Sequence, residues 1–429
     1  MNKQKSGNPV ALLPIGVFLV IFIGAGILFH DFYTMPAIVG FLIALTVAFL
    51  QNRKVGFQEK VAIISNGIGE ENIVTMCLIF LAAGAFSGSI KAAGGVESTV
   101  NLGLSIIPPS VAVVGLFVIG CFISISMGTS VGTITAMAPI GVGIAEKTGI
   151  GLPICMGAIV CGAMFGDNLS MISDTTIAAV RTQGCEMKDK FRENFLIVLP
   201  AAIITAVIFF FIARGNVAKI PGDLDYQIIK VVPYLVVLIG ALIGINVFVV
   251  LIAGTVLSLI VGVATGAFAI GEMFQKMGDG VTGMYDITVI SIIVAAIVAL
   301  VKEHGGIEYI LSVIKRRING ERGGEFGISV LALLVDCCTA NNTVAIVMAG
   351  PIAKEISEEF GVNAKRSASL LDIFASVGQG LIPYGAQLLA AASLSSLSPV
   401  KIMPYLFYPI LMGISAVFFI MLRRRENFA

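Results

Sequence analysis

The sequence predicts an all-α polytopic membrane protein, and three observations carry that prediction. Of its 429 residues, 57% are hydrophobic and 12% are charged, against roughly a quarter charged in ordinary soluble domains. A chain this apolar cannot cover its own surface with polar groups, so lipid must solvate much of it. Apolar runs of about 20 residues, the length that crosses a bilayer core, recur along the chain. The two halves also share landmarks at a constant offset, which predicts two inverted-topology repeats.

The runs fall near residues 11–30, 35–51, 72–92, 107–127, 130–147 and 153–178 in the first half. They continue near 195–214, 229–248, 248–269, 286–302, 326–348, 366–392 and 402–422. Several are short, polar or interrupted by glycine. The expectation is therefore about 10 to 13 membrane segments, some of them broken helices or re-entrant hairpins. The N-terminal MNKQKSGNPV runs into a long apolar stretch without a small-residue cleavage site. That reads as a first spanning helix and not as a signal peptide.

The repeat rests on identities 212 residues apart: Pro139 with Pro351, Ile140 with Ile352, Glu146 with Glu358, Gly149 with Gly361, Gly166 with Gly378 and Leu169 with Leu381. Upstream, Gly94, Gly95 and Glu97 pair with Gly305, Gly306 and Glu308 at an offset of 211. Arg53 and Lys54 have uncharged counterparts near 265–266, and the basic stretch 315–322 matches an uncharged 103–110. Opposite charge bias is what inversion requires. The expected division is a first repeat over 1–192, a connecting helix and loop over 193–222, and a second repeat over 223–429.

Cytoplasmic loops concentrate Lys and Arg. The basic clusters are Lys3 and Lys5; Arg53, Lys54 and Lys60; Arg181, Lys188, Lys190 and Arg192; Lys315, Arg316, Arg317 and Arg322; and Arg423, Arg424 and Arg425. Placing all five inside puts both termini in the cytoplasm of a multi-pass protein of the inner (plasma) membrane. A net charge of +1 gives no sign of a nucleic-acid partner. The seven cysteines lack C-x-x-C spacing and read as small buried side chains, not metal ligands. Gly128 to Gly132 matches the serine-hydrolase G-x-S-x-G, but a membrane segment is not the strand–turn–helix that this motif needs. No enzyme and no cofactor are expected.

A carboxylate within a membrane costs a few kcal/mol, so each one needs a reason. In GDNLSMISDTT, Asp167 and Asp174 stand with Asn168, Ser170, Ser173 and Thr175; a continuous helix would put the two carboxylates on one face, two turns apart. Carboxylate, amide and hydroxyl oxygens suit a hard cation such as Na⁺, and a carboxylate there can carry a proton instead. Asp174 also stands seven residues from Arg181, a candidate ion pair. In the other polar interruption, Thr129, Ser130 and Thr133 have the repeat counterpart DCCTANNT, with Asp336, Thr339, Asn341, Asn342 and Thr343. Gln379 in GQGLIPYGAQ lies opposite Asp167. Breaks of this kind place backbone groups and helix ends at a midplane site. Asp286 and Glu272 lie near helix ends and read as solvated.

The signature G-D-x-x-S-x-x-S-D-T-T, carried by Gly166, Asp167, Ser170, Ser173, Asp174, Thr175 and Thr176, resembles that of the NhaC family of Na⁺/H⁺ antiporters. Leu381, Ile382 and Pro383 look like the family's second-half motif, although Tyr384 and Gly385 follow where a tryptophan and a polar residue are common. The resemblance implies a homodimer with a scaffold and a moving transport domain that holds two hairpins. The reading is a secondary transporter in membrane lipid, exchanging Na⁺ for H⁺. Asp167 and Asp174 are its tentative metal ligands, and Thr129, Ser130, Thr133, Asp336, Thr339, Asn341, Asn342, Thr343 and Gln379 supply further ligands. The alternative is a Na⁺- or H⁺-coupled carrier of a small organic solute, an amino acid or carboxylate. The sequence shows no fixed cation within the polar clusters to grip a carboxylate, which favours the ion.

Overall fold

Lipid offers no hydrogen bonds, so a chain crossing it must pair its own backbone; among the described residues all regular structure is helical. The computed structural model describes residues 7–28, 35–106, 108–171, 173–215, 224–243, 245–315 and 318–422. Lys3, Lys5, Arg316, Arg317 and Arg423 to Arg425 lie outside the described residues, as does His30.

The first half holds α1 (Leu13–Leu28), α2 (Ala37–Leu50), α3 (Phe57–Ile68), α4 (Glu71–Ala92), α5 (Gly95–Ile106), α6 (Pro109–Met127), α7 (Ser130–Thr148), α8 (Leu152–Leu169), α9 (Asp174–Gln183) and α10 (Met187–Gly215). The second holds α11 (Ile228–Leu242), α12 (Val247–Ala264), α13 (Met273–Thr282), α14 (Tyr285–Glu303), α15 (Gly306–Lys315), α16 (Gly320–Thr339), α17 (Asn342–Phe360), α18 (Ala364–Leu381), α19 (Ala386–Ser395), α20 (Pro399–Ile402) and α21 (Phe407–Leu422). The bounds of α7, α8 and α9 recur in α17, α18 and α19 with an offset of 212 at both ends.

Six described helical stretches are long and apolar enough to cross a membrane, or seven if the bent pair Pro399–Tyr405 and Phe407–Leu422 is one span. The 10 to 13 segments expected from the apolar runs counted broken and short helices as well, not all of which are among these. The runs near 153–178, 326–348 and 366–392 each break inside, and Pro9–Phe22, Ile38–Leu50 and Ile228–Gly240 are short. Four short helices, α3, α5, α13 and α15, lie outside the apolar runs altogether.

The core forms around α8 and α18. Every residue from Ile154 to Leu169 and from Arg366 to Gly380 is buried, as befits helices enclosed on all sides by protein. α8 packs on α6 and α7, and α18 on α16 and α17, while α9, α10 and α21 close the bundle. Glycine permits the tightest of these crossings. A Cβ at Gly162 would lie 2.2 Å from the Phe117 carbonyl oxygen, and one at Gly166 2.5 Å from that of Cys121, so these positions one helical turn apart bring two backbones together. Arg366 Nε donates to Glu325 Oε1 at 3.0 Å and its Nη1 to Glu193 Oε1 at 3.2 Å, tying α18 to α16 and α10. Outside this bundle, α4 packs on α12 and α13, and α14 on α2 and α3.

Candidate functional site

Two helix pairs break in the same way. α6 ends at Gly128 with φ 69°, and Thr129 Oγ1 then accepts from the Gly132 N–H at 3.3 Å to cap α7. α16 ends at Ala340 with φ 50°, and Asn341 Oδ1 accepts from the Val344 N–H at 3.0 Å to cap α17. The left-handed residue turns the chain and the polar cap takes an orphan N–H. The other breaks separate α8 from α9 and α18 from α19, at residues 170–173 and 382–385.

These breaks surround one cavity of about 260 Å³. Gly128, Thr129, Asp174, Asn341, Asn342, Thr343, Gln379 and Gln387 line it, with Thr75 and Asn246 from the outer helices. Behind the wall sits Asp167, buried at 6% exposure. Its Oδ2 accepts from Ser130 Oγ at 2.7 Å and its Oδ1 from Ser173 Oγ at 2.6 Å. Ser130 Oγ accepts in turn from Gln387 Nε2 at 3.0 Å, and Gln387 Oε1 from Gln379 Nε2 at 2.7 Å. Gln379 Nε2 also reaches the Ala340 carbonyl at 3.2 Å. A hydrogen-bonded chain therefore runs from the first-half carboxylate to the second-half break.

The structure separates the two carboxylates of GDNLSMISDTT. The segment is not one helix: α8 stops at Leu169 and α9 starts at Asp174. Asp167 faces inward to its serines while Asp174 is exposed at the cavity wall. Thr129, Asn341, Asn342, Thr343 and Gln379 meet there as well. Several other candidates spend their polar groups on the fold. Ser170 Oγ donates to the Ile125 carbonyl, Thr133 Oγ1 to that of Thr129, and Thr339 Oγ1 to those of Asp336 and Asn341. Thr175 pairs with Ser173, and Asn168 Oδ1 accepts from Asn194 Nδ2. Asp336 is fully buried behind the break, and neither of its carboxyl oxygens has a partner among the described residues. Asp286 and Glu272 are exposed, as their positions near helix ends predict.

Lys190 is where charge counting fails. Within its cluster Arg181, Lys188 and Arg192 are exposed, but Lys190 is only 1% exposed. Its ammonium pairs with Asp372 and donates to the Asn168 carbonyl and Thr176 Oγ1, each at 3.0 Å. A fixed cation therefore does lie beside the polar cluster, contrary to the sequence-based expectation, and Asp372 neutralises it. A signal was present: Lys190 and Asn194 share a helical stripe with Ile197, Val198 and Ala201, all buried.

The family model described as the Na⁺/H⁺ antiporter family matches residues 8–214 and 226–423. The chain belongs to that family. Its members are transporters, not enzymes. The chain is similar to the Na(+)/H(+) antiporter NhaC of Alkalihalophilus pseudofirmus, at 24% identity over 97% of this chain and 96% of that protein. It is similar also to the Malate-2H(+)/Na(+)-lactate antiporter of Bacillus subtilis, at 23% identity over 92% of this chain and 90% of that protein. The solved YdaH transporter of Alcanivorax borkumensis shares 12% identity, covering 96% of this chain and 98% of its own, with a TM-score of 0.42.

Proposed function

We propose that the protein exchanges Na⁺ for H⁺ at Asp167. The observation that carries this reading is a buried carboxylate held by two serine hydroxyls, with no ion-pair partner among the described residues, one hydrogen bond from a cavity-lining chain. An isolated carboxylate in a low-dielectric interior needs a neutralising charge, and a proton and a sodium ion each supply one. They compete for the same oxygens, and that competition is the coupling. Asp174 adds a second negative charge at the wall, and Thr129, Asn341, Thr343 and Gln379 offer neutral oxygens on the way in. Both relatives carry Na⁺ and H⁺ in their names, although only one of them names an organic solute.

The helix offsets support two repeats, and the opposite charge bias of the halves supports their inversion. α10 starts at Met187 and α20 at Pro399, 212 residues on, so this reading makes α10 the last helix of the first repeat and shifts its end beyond residue 192. The basic clusters support cytoplasmic termini in the plasma membrane, and the family resemblance supports a homodimer.

The test uses the full chain in sealed vesicles, following internal pH as Na⁺ or Li⁺ is added outside. Wild type moves protons in response. Asp167→Asn keeps the shape and both serine contacts, loses the exchangeable charge, and drops exchange to background at unchanged yield and elution. Full exchange in that variant removes Asp167 from the mechanism.

A further inference from the structure

We propose that Lys190 is the positioning residue of the Asp167 site: its ammonium clamps both arms of the α8–α9 break and so sets how tightly the carboxylate holds its cation. This rests on the cation reading above and adds to it a residue outside the ligand shell. An ammonium has three donors and no lone pair, so Lys190 cannot ligate a cation. It acts through what it holds.

A broken helix leaves carbonyls on one side of the break and N–H groups on the other without partners in their own helix, so something outside must tie the two arms together. Asp167 depends on that tie. It stands in the last turn of α8, and one of its two hydrogen bonds comes from Ser173, the residue that precedes α9. The gap between the arms therefore decides whether the Ser173 hydroxyl reaches Asp167 Oδ1, which it does at 2.6 Å.

Lys190 reaches both arms. Its Nζ donates at 3.0 Å to the Asn168 carbonyl, one residue past Asp167, and at 3.0 Å to Thr176 Oγ1 in the first turn of α9. The third donor goes to Asp372 on α18. Asn168, Thr176, Lys190 and Asp372 are all buried. Asn194, one turn further along α10, strengthens the hold on the α8 arm: its Nδ2 donates to the Asn168 carbonyl at 2.8 Å and to Asn168 Oδ1 at 2.7 Å. A cation at the C-terminus of α8 is also where the helix dipole favours one, and Asp372 neutralises it, so the clamp adds no net charge beside Asp167.

The repeat supplies an independent comparison. At the offset of 212, Gln379 stands where Asp167 does, Gly380 where Asn168 does and Leu388 where Thr176 does. Lys190 and Asn194 become Ile402 and Leu406, and the first-half counterpart of Asp372 is Val160. The second break thus forms with apolar residues at these positions, so holding a break open does not itself require a buried ion pair. The clamp occurs at the break that carries the carboxylate.

The test measures the Na⁺ concentration at half-maximal proton movement, and the maximal rate, for the full chain in sealed vesicles. Thr176→Val frees the α9 arm and leaves the ion pair with Asp372 in place. Lys190→Met/Asp372→Leu removes the clamp without stranding a charge. Both variants raise the half-maximal Na⁺ concentration by about 10-fold and keep the maximal rate within about 3-fold of wild type, the signature of lost binding and not of lost protein. A purely structural role would lower melting temperature or maximal rate and leave the half-maximal concentration unmoved. If the double variant does not fold, Thr176→Val decides: folded Thr176→Val with wild-type Na⁺ dependence overturns the proposal. Asp167→Asn, run alongside, separates the two readings. Wild type that moves no protons on Na⁺ addition, or exchange that survives in Asp167→Asn, overturns both. Exchange lost in Asp167→Asn with unmoved Na⁺ dependence in Thr176→Val overturns this one alone.

Discussion

Replacing Lys190 by methionine removes a charge from a fully enclosed ion pair beside the site while keeping much of the side chain's length. All three ammonium donors are engaged, with Asp372, Thr176 and the Asn168 carbonyl. After the substitution Asp372, with no exposed surface, keeps only threonine hydroxyls, Thr175 and Thr176, the latter at 3.5 Å. The Asn168 carbonyl keeps only Asn194 Nδ2, at 2.8 Å. Stripping one partner from a buried pair costs about 3–5 kcal/mol, because the remaining charge is stranded. Replacing both partners with apolar groups of similar volume is often neutral, since the desolvation of two ions is recovered. Lys190→Met should therefore melt well below wild type, by on the order of 5 °C or more, and Lys190→Met/Asp372→Leu should recover most of the loss. Thermal melting of wild type, the single variant and the double variant in one detergent measures this. A single variant within about 1 kcal/mol of wild type, or a double variant no better than the single, refutes the stranded-charge argument.

Other perturbations separate steric from electrostatic roles. Gly166→Ala sets a Cβ 2.5 Å from the Cys121 carbonyl and 2.7 Å from the Ile125 nitrogen, both backbone atoms, and overpacking of this kind costs about 1–3 kcal/mol. Gly378→Ala meets first the Asp336 Oδ2 at 2.6 Å, a side-chain atom, so its melting temperature should fall less than that of Gly166→Ala. Equal falls would mean that Asp336 is as immobile as backbone. Ala340→Gly removes a left-handed alanine at φ 50°, where its repeat counterpart is already Gly128, and should raise stability by up to about 1 kcal/mol. A drop in melting temperature would show that this turn is not strained.

What was legible in the sequence is what one segment decides for itself. Gly128 followed by Thr129, and Asn341 after a repeat offset of 212, mark helix breaks because a left-handed turn and a polar cap are local chemistry. Asp167 stood out because a membrane carboxylate always needs a reason. The helical geometry drawn around it did not survive, since the chain between Asp167 and Asp174 turns where a helix was the simplest reading. What was not legible depends on distant partners. Lys190 reads as one more cytoplasmic cation until Asp372, 182 residues on, comes beside it.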